Sequence, residues 1–584
     1  MTGTAAPPSA EQPSIVHGAP LSDERGMGPL TIAGYAREVT RRHAGREALV
    51  MRMPGGERVS WTYNELWERS VEVAKALIAA GVGKDSRVGV LMTNRPEHLS
   101  SLFGVALAGG VVVSLSTFST PAELEYMLQT GAVSVLLYDR QVLKRDFGAA
   151  LSELEPRVLT ARPGEFSSAK FPFLRRLIAL DSVTTGSDAA APDGAAVETW
   201  TDFLAGGASV PDAVVEARAA TAAPSDTAAV FFSSGTTSLP KGIIHAQRAF
   251  AIQWWRWPRI MDLDPVNFPV RCWTGNGFFW SGNISQVLGY ALTTGGAIVL
   301  QPVFDAEAAL DLIEAEKVSF AIGRPHQWAR LEASDKWAGA DLSSLHYVTY
   351  GSKIFDHPTF IKTDWKMCPA FGTTETLTIC TAVAANTPLE DYRGSFGQPL
   401  PGNVLKIFDP LTGAVMPRGA RGEVGIKGPT LMLGYVGKAQ EQTFDDEGFY
   451  CTGDGGYVDA DGYLFWEGRL TDIIKTGGAN VSPLEVDAVL VGYPGIKRAQ
   501  TVGAPHDTLG EVVVACIVPH EGVALDGRAI QDFLKAQLAS FKVPREVLFF
   551  REDEFAVTGN EKVKTSVLRE LASARLGVAA AQPA

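Results

Sequence analysis

The sequence predicts an α/β fold: a large N-terminal domain of mixed and parallel sheets flanked by helices, then a small α+β C-terminal domain. Three observations lead there. At 584 residues the chain exceeds what one hydrophobic core serves, so several domains are expected. Short apolar runs alternate with helix-like stretches, the signature of βαβ units and a largely parallel sheet. A turn-rich, alternating stretch from Gly453 to Trp466 then precedes a boundary near Gly468–Arg469. About a hundred residues follow it, the size of a small domain.

Taken in order, residues 1–28 are rich in Ala, Pro and Ser and are expected to form a disordered tail. Trp67 to Ala80 has helical spacing and ends at Gly81, a suitable C-cap. Arg87 to Met92 reads as a buried strand, Pro96 to Leu107 as a helix, and Val111 to Leu115 as the next strand. Further strand-like runs occur at Ala228–Phe232, Ala297–Leu300, Ser319–Ile322 and Tyr347–Tyr350. Between Pro156 and Pro224 the composition turns loop-like and is read as an insertion. The first domain is thus placed at 29–468 and the second at 469–574, with a tail from 575 to 584. The second holds a strand-like Val512–Val518 and a helix-like Ile530–Ser540.

Composition excludes several functions. A formal net charge of −13 disfavours a nucleic-acid surface, since phosphate binding wants a basic face. Cys272, Cys368, Cys380, Cys451 and Cys516 show no metal-ligand or disulfide spacing, and a reducing, cytoplasmic setting is expected. The first residues lack the charged and apolar regions of a secretory signal. The longest apolar stretch, Phe103 to Val113, is too short to span a bilayer. The pattern does not specify an oligomeric state.

The most informative string is Ala228 to Gly242, AAVFFSSGTTSLPKG. A buried strand runs into Ser233, Ser234, Gly235, Thr236 and Thr237, and Lys241 follows after Ser238 and Pro240. Glycine lets the backbone approach an anion, while hydroxyls and a lysine supply donors to phosphate oxygens. The Walker spacing fails, because Pro240-Lys241-Gly242 stands where Gly-Lys-Ser/Thr is needed.

This loop closely resembles the signature of the adenylate-forming (AMP-binding) superfamily, in its acyl-CoA synthetase branch; Ser238 replaces a usual glycine. The resemblance extends from about Tyr35 to Leu571, with further motifs in family order. Phe371-Gly372-Thr373-Thr374-Glu375 resembles the aromatic-Gly-x-Thr-Glu motif, which implies adenine stacking by Phe371, an α-phosphate contact from Thr374 and a Mg²⁺ ligand in Glu375. Tyr350-Gly351-Ser352-Lys353 resembles the turn that touches adenine. Tyr450-Cys-Thr-Gly-Asp454 resembles the ribose-binding motif, with Asp454 accepting both hydroxyls. Gly468-Arg469-Leu-Thr-Asp472, followed by Lys475 and Gly477-Gly478, is similar to the interdomain hinge, with Thr471 at the pivot position. Thr558 to Lys564 resembles the C-terminal lysine motif; Leu568 and Arg569 keep the spacing that assigns Lys562, and Glu561 replaces a glycine.

The resemblance implies a fold with a mobile C-terminal domain, and a two-step reaction on ATP, Mg²⁺, a small carboxylic acid and coenzyme A. The acid becomes an acyl-adenylate with release of pyrophosphate, Lys562 assisting, and the acyl group then passes to the thiol. An α-amino acid is disfavoured, because Trp280 stands where amino-acid-activating relatives carry Asp, and the aromatic Trp273, Phe279 and Trp280 point to an apolar acid (fatty, branched, aromatic or polycyclic). Trp273, Phe279, Trp280 and Gly323 are the candidate acyl-pocket residues. An acyl-AMP ligase loading a carrier protein, a luciferase-like monooxygenase and a non-catalytic nucleotide sensor share parts of this pattern. The tryptophan-rich Gln253 to Trp257 reads as helix packing ahead of contact with a membrane or cofactor.

Overall fold

A computed structural model describes residues 12–53, 55–184, 196–233, 240–263, 270–349, 354–476, 479–538, 540–555, 563 and 565–578. Its chain forms two compact units. One comprises His17–Val404 and Lys427–Tyr450; the other comprises the described residues of Met1–Val16, Leu405–Ile426 and Cys451–Ala584.

The larger unit is built on two sheets. In the first, among the described residues, eight strands run in the order Val197–Thr199, Arg176–Leu180, Val135–Asp139, Arg87–Leu91, Val111–Ser114, Thr227–Ser233, Lys241–Ala246 and Gly434–Tyr435. The first six are mutually parallel; Lys241–Ala246 runs antiparallel to them and pairs antiparallel with Gly434–Tyr435. The second sheet orders Tyr347–Thr349, Phe320–Ile322, Arg271–Thr274, Ala297–Leu300 and Glu47–Arg52 in parallel, with Arg58–Thr62 antiparallel at its edge. Buried parallel strands need apolar residues on both faces, which is why Val111–Ser114 and Ala297–Leu300 are buried throughout.

The helices obey local rules. Thr62 caps the Tyr63–Ala79 helix through Glu65 N at 3.2 Å, and Glu65 returns its carboxylate to the Thr62 amide at 2.7 Å. Gly81, at φ 85°, takes the left-handed turn beyond its end. The Pro96–Ala108 helix packs against it so closely that a Cβ on Gly104 would lie 2.7 Å from a Val73 methyl. Both helices bury their apolar faces in a core shared with Phe103, Trp254 and Leu288.

Two expectations are corrected. Residues 12–28 are not a disordered tail: Ile15–His17 is a strand of a five-stranded sheet, and Glu24 pairs with the buried Arg256. The stretch between Pro156 and Pro224 is no simple insertion: Arg176–Leu180 and Val197–Thr199 extend the eight-stranded sheet, and Trp200–Gly206 and Asp212–Ala220 are helices. Arg176–Leu180 carries too short an apolar run to stand out from its Ala- and Ser-rich surroundings. The Gln253–Trp257 segment does pack internally: it lies in the Gln247–Ile260 helix and is buried throughout.

The second unit carries a sheet ordered Ile15–His17, Val404–Phe408, Gly422–Lys427, Tyr450–Val458 and Leu464–Arg469. The last two strands form the antiparallel pair expected there. A long hairpin, Ile496–His506 with Gly510–Pro519, then anchors a second sheet to which Glu546–Phe549 adds in parallel. Helices Pro483–Leu490, Gly527–Lys535 and Thr565–Arg575 belong to this unit. Among the described residues no helix is long and apolar enough to cross a membrane.

Candidate active site

The segment expected to bind phosphate follows the C-terminal end of a parallel strand, where ligands of open α/β sheets collect. Thr227–Ser233 pairs with Lys241–Ala246 so that Ser233 faces Lys241 across the hairpin. Ser234, Gly235, Thr236 and Thr237, which join them, lie outside the described residues. Lys241 is half-buried, with Nζ 5.8 Å from the centre of the Tyr435 ring.

On the other side of Tyr435 stands Glu375. The Tyr435 hydroxyl donates to Glu375 Oε1 at 2.7 Å and lies 3.0 Å from the Tyr450 hydroxyl. The Met432 amide donates to the Glu375 carbonyl at 2.7 Å. Burial, reinforced by the adjacent carboxylate, drives the Tyr435 phenol far above its ordinary pKa, so it acts as a fixed donor. One tyrosine thus carries two lysine ammoniums over its ring, those of Lys241 and, at 5.3 Å, Lys438, and a carboxylate on its hydroxyl.

Glu375 sits on a tight, strained turn. Thr374–Thr376 form a single 3₁₀ turn, after which Leu377 (φ 47°) and Thr378 (φ 96°) occupy the left-handed region. Such conformations cost roughly 1–3 kcal/mol each and persist where the surroundings over-determine them. The turn doubles back on Gly372, where a Cβ would fall 2.0 Å from the Thr378 carbonyl. The fully buried Gln253 reaches in from the Gln247–Ile260 helix: its Nε2 donates to the carbonyls of Thr376, Leu377 and Ile379 at 3.2, 2.8 and 2.8 Å. Phe371 is buried and Thr373 half-buried, with Thr373 Oγ1 unpaired among the described residues. His245 lies between Phe231 and Phe250 near Glu375; burial holds its pKa down at about 4, so the ring is neutral.

These residues fit a hard cation. Glu375 Oε1 is held by Tyr435, whereas Oε2 has no hydrogen-bond partner among the described residues. Among the described residues no cluster of three or more acidic, His or Cys side chains occurs there either. A single carboxylate that shares the ion with nucleotide phosphates and water is the usual Mg²⁺ arrangement.

The aromatic candidates divide. Trp273 is core: it is fully buried beside Val50, Val299 and Trp328, and Nε1 donates to Gln301 Oε1 at 3.2 Å. Gly323 lies against Trp328, where a Cβ would come within 2.8 Å of Nε1. Phe279 and Trp280 instead form a trio with Phe118, which is 48% exposed. Phe118 stacks on Trp280 at 6.2 Å and 22° and meets Phe279 edge-on at 5.6 Å. The loop carrying them is held by Asn94, which donates to Asn276 O at 2.7 Å and accepts from Phe278 N at 2.8 Å. Ser114 Oγ adds a bond to Phe279 O at 3.2 Å.

In the second unit Asp454 and Arg469 are partners in register on adjacent strands. Arg469 Nε lies 3.2 Å from Asp454 Oδ1, and its NH1 donates to Thr452 O at 2.7 Å. Asp454 is buried at 2% exposure, while the Arg469 side chain is half exposed. Lys475 is exposed, and its amide donates to Glu511 Oε2, whose carboxylate also pairs with Arg569. Gly351, Ser352, Gly477, Gly478 and Lys562 lie outside the described residues.

Sequence reasoning missed Tyr435, His245, Asn94 and Phe118, and read Gln253 only as packing. A polar residue inside an aromatic helical run is the one signal that marked Gln253.

Comparison with known proteins agrees with this geometry. The AMP-binding enzyme family profile matches residues 36–436, and the AMP-binding enzyme C-terminal domain profile matches residues 485–562. The indoleacetate–CoA ligase of Aromatoleum aromaticum is 32% identical over 91% of this chain and 96% of its own. The fatty acid–[acyl-carrier-protein] ligase ScoC of Streptomyces coeruleorubidus is 30% identical over 84% and 87%. The crystal structure of the anthranilate CoA ligase AuaEII with anthranoyl-AMP shares the fold, at a TM-score of 0.73 and 24% identity over 95% of this chain and 99% of that one. With the lysine-flanked hairpin, the Tyr435-held Glu375 and the Asp454–Arg469 pair in place, the chain belongs to the AMP-binding enzyme family.

Proposed function

We propose that the protein is an ATP-dependent acid–thiol ligase that converts an apolar carboxylic acid to its coenzyme A thioester, with AMP and pyrophosphate as the other products. One observation carries this reading. Tyr435 links a phosphate-type lysine, Lys241, to a carboxylate, Glu375, that keeps one oxygen free of hydrogen bonds among the described residues.

A carboxylate is a poor electrophile, because its charge repels nucleophiles and oxide is a poor leaving group. In the proposed first step a substrate oxygen bonds to the α-phosphorus of ATP as the bond to the β-phosphate bridging oxygen breaks. Ser233, the hydroxyls through Thr237, Lys241 and Lys562 supply donors to the phosphoryl oxygens, where charge builds. Mg²⁺, when bound, neutralises phosphate charge, and Glu375 is the residue that would hold it. Asp454 and Arg469 are proposed to take the ribose, and Phe371, Gly351 and Ser352 the adenine. In the second step the thiol sulfur bonds to the acyl carbon, the mixed-anhydride C–O bond breaks, and AMP leaves as the thiol proton passes to solvent.

The acyl site is assigned to the Phe118–Phe279–Trp280 trio, whose rings suit an apolar or planar acid. Trp273 and Gly323, both beside Trp328, are proposed as further acyl-site residues. The domain boundary at Gly468–Arg469 and the hinge at Thr471 are part of the same proposal, as is a cytoplasmic setting, which the five free cysteines support. A relative that loads a carrier protein favours that acceptor as the second reading.

The test is mass spectrometry of products formed from ATP, Mg²⁺ and indoleacetate, ferulate or octanoate, with and without coenzyme A. An acyl-CoA that requires ATP supports the ligase. Acyl-AMP that persists beside coenzyme A supports the carrier-protein reading.

A further inference from the structure

We infer that Gln253 is a positioning residue for the metal-bound nucleotide: it sets the Thr374–Ile379 turn and, through it, the Glu375 carboxylate. The inference rests on the reading of Glu375 as the residue that would hold Mg²⁺.

Three facts converge on this glutamine. Its Nε2 faces three carbonyls, those of Thr376, Leu377 and Ile379, within 3.2 Å. Carbonyl oxygens only accept, so the amide nitrogen must point at the turn. The opposite atom, Oε1, is buried without a partner among the described residues, a cost accepted to place the nitrogen there. The turn it holds includes Leu377 and Thr378 at positive φ, and the carbonyls it binds belong to or flank these strained residues. A β-branched residue such as Thr378 keeps φ 96° only under external constraint.

The helix bearing Gln253 is itself fixed. Arg256 pairs with Glu24 at 2.8 Å and donates to Pro401 O, and Trp257 Nε1 donates to Ser285 Oγ at 3.0 Å. Gln253 therefore transmits a rigid frame to a strained turn. The other Glu375 supports, Tyr435 on Oε1 and the Met432 amide on the carbonyl, do not involve Gln253. Loss of the glutamine donors leaves Glu375 anchored but frees the turn that aims its second oxygen.

The test uses the full chain and calorimetric binding of α,β-methylene-ATP across a range of Mg²⁺ concentrations, beside AMP binding without Mg²⁺. Gln253→Met keeps the volume and removes the donors. It is expected to raise half-saturating Mg²⁺ about tenfold, a loss of about 1.4 kcal/mol, while AMP affinity changes less than twofold. In a Glu375→Gln background the same substitution is expected to add less than a twofold change. An unaltered Mg²⁺ requirement, equal loss of AMP and Mg²⁺-dependent binding, or full additivity with Glu375→Gln would overturn the inference. If the methionine variant does not fold, Gln253→His, which keeps one N–H donor, is expected to hold half-saturating Mg²⁺ within threefold of wild type. Loss of fold in both variants would mark Gln253 as core alone and overturn the inference. Absence of analogue binding by the wild-type chain would defeat the proposed function itself, an outcome distinct from an unchanged variant.

Discussion

The Tyr435 hydroxyl donates to Glu375 Oε1 at 2.7 Å, across 60 residues of sequence. A hydrogen bond to a charged group contributes about 1.5–3 kcal/mol. Tyr435→Phe keeps the ring under Lys241 and removes the hydroxyl that bonds Glu375 and Tyr450. Roughly a tenfold or greater fall in kcat for acyl-adenylate formation is expected, with the fold retained by circular dichroism. An unchanged rate of pyrophosphate release would remove Tyr435 from the account.

How much of this was legible beforehand depends on the range of the interactions. The Ser233–Lys241 hairpin was readable because its chemistry is local: glycine, hydroxyls and lysine sit within nine residues of one another. The Gln253–Trp257 packing was readable from aromatic spacing on one helix. Tyr435 and the Gln253 contacts were not, because Gln253 meets carbonyls 123 to 126 residues away and nothing near either residue marks the partner. Trp273 and Trp280 look equivalent as letters. Their elements separate them: Trp273 lies on the buried Arg271–Thr274 strand, whereas Trp280 precedes the Ser281–Ala291 helix and stacks on Phe118.

Asn94 bonds two backbone groups of the loop that carries Phe279 and Trp280. Asn94→Ala is expected to raise KM for the acid about tenfold while KM for ATP moves less than twofold, the tenfold change corresponding to about 1.4 kcal/mol. Steady-state kinetics with each substrate varied in turn decides it. Equal rises in both constants would assign Asn94 to general stability.

In the proposed function Lys562 serves the first half-reaction. Lys562→Ala is expected to lower adenylate formation by about a hundredfold or more, the scale of losing one electrostatic stabiliser. Thioester formation from supplied acyl-AMP should fall far less. Equal loss in both half-reactions, measured by rapid quench, would contradict the assignment.

Asp487 supplies a pH signature in the second unit. Burial raises its pKa from the ordinary 3.8 to about 6, against the pull of the Thr501 amide and hydroxyl at 2.6 Å. The folded state therefore binds this proton more tightly than the unfolded chain. Its stabilisation is fully present below about pH 4 and is lost as pH rises through 6, on the order of 2–3 kcal/mol. Asp487→Asn is expected to remove that slope, seen as the difference between wild-type and variant unfolding midpoints at pH 4.5 and 7. Parallel pH profiles would show that Asp487 stays ionised in the fold.

The central claim, that a carboxylate oxygen attacks the α-phosphorus of ATP, is tested most directly with an acid labelled with ¹⁸O in its carboxylate. After complete conversion with ATP, Mg²⁺ and coenzyme A, mass spectrometry reads the phosphorus products. One labelled oxygen in AMP and none in pyrophosphate is the result expected. Label in inorganic phosphate, with ADP as the nucleotide product, would place the attack on the γ-phosphorus and contradict the account.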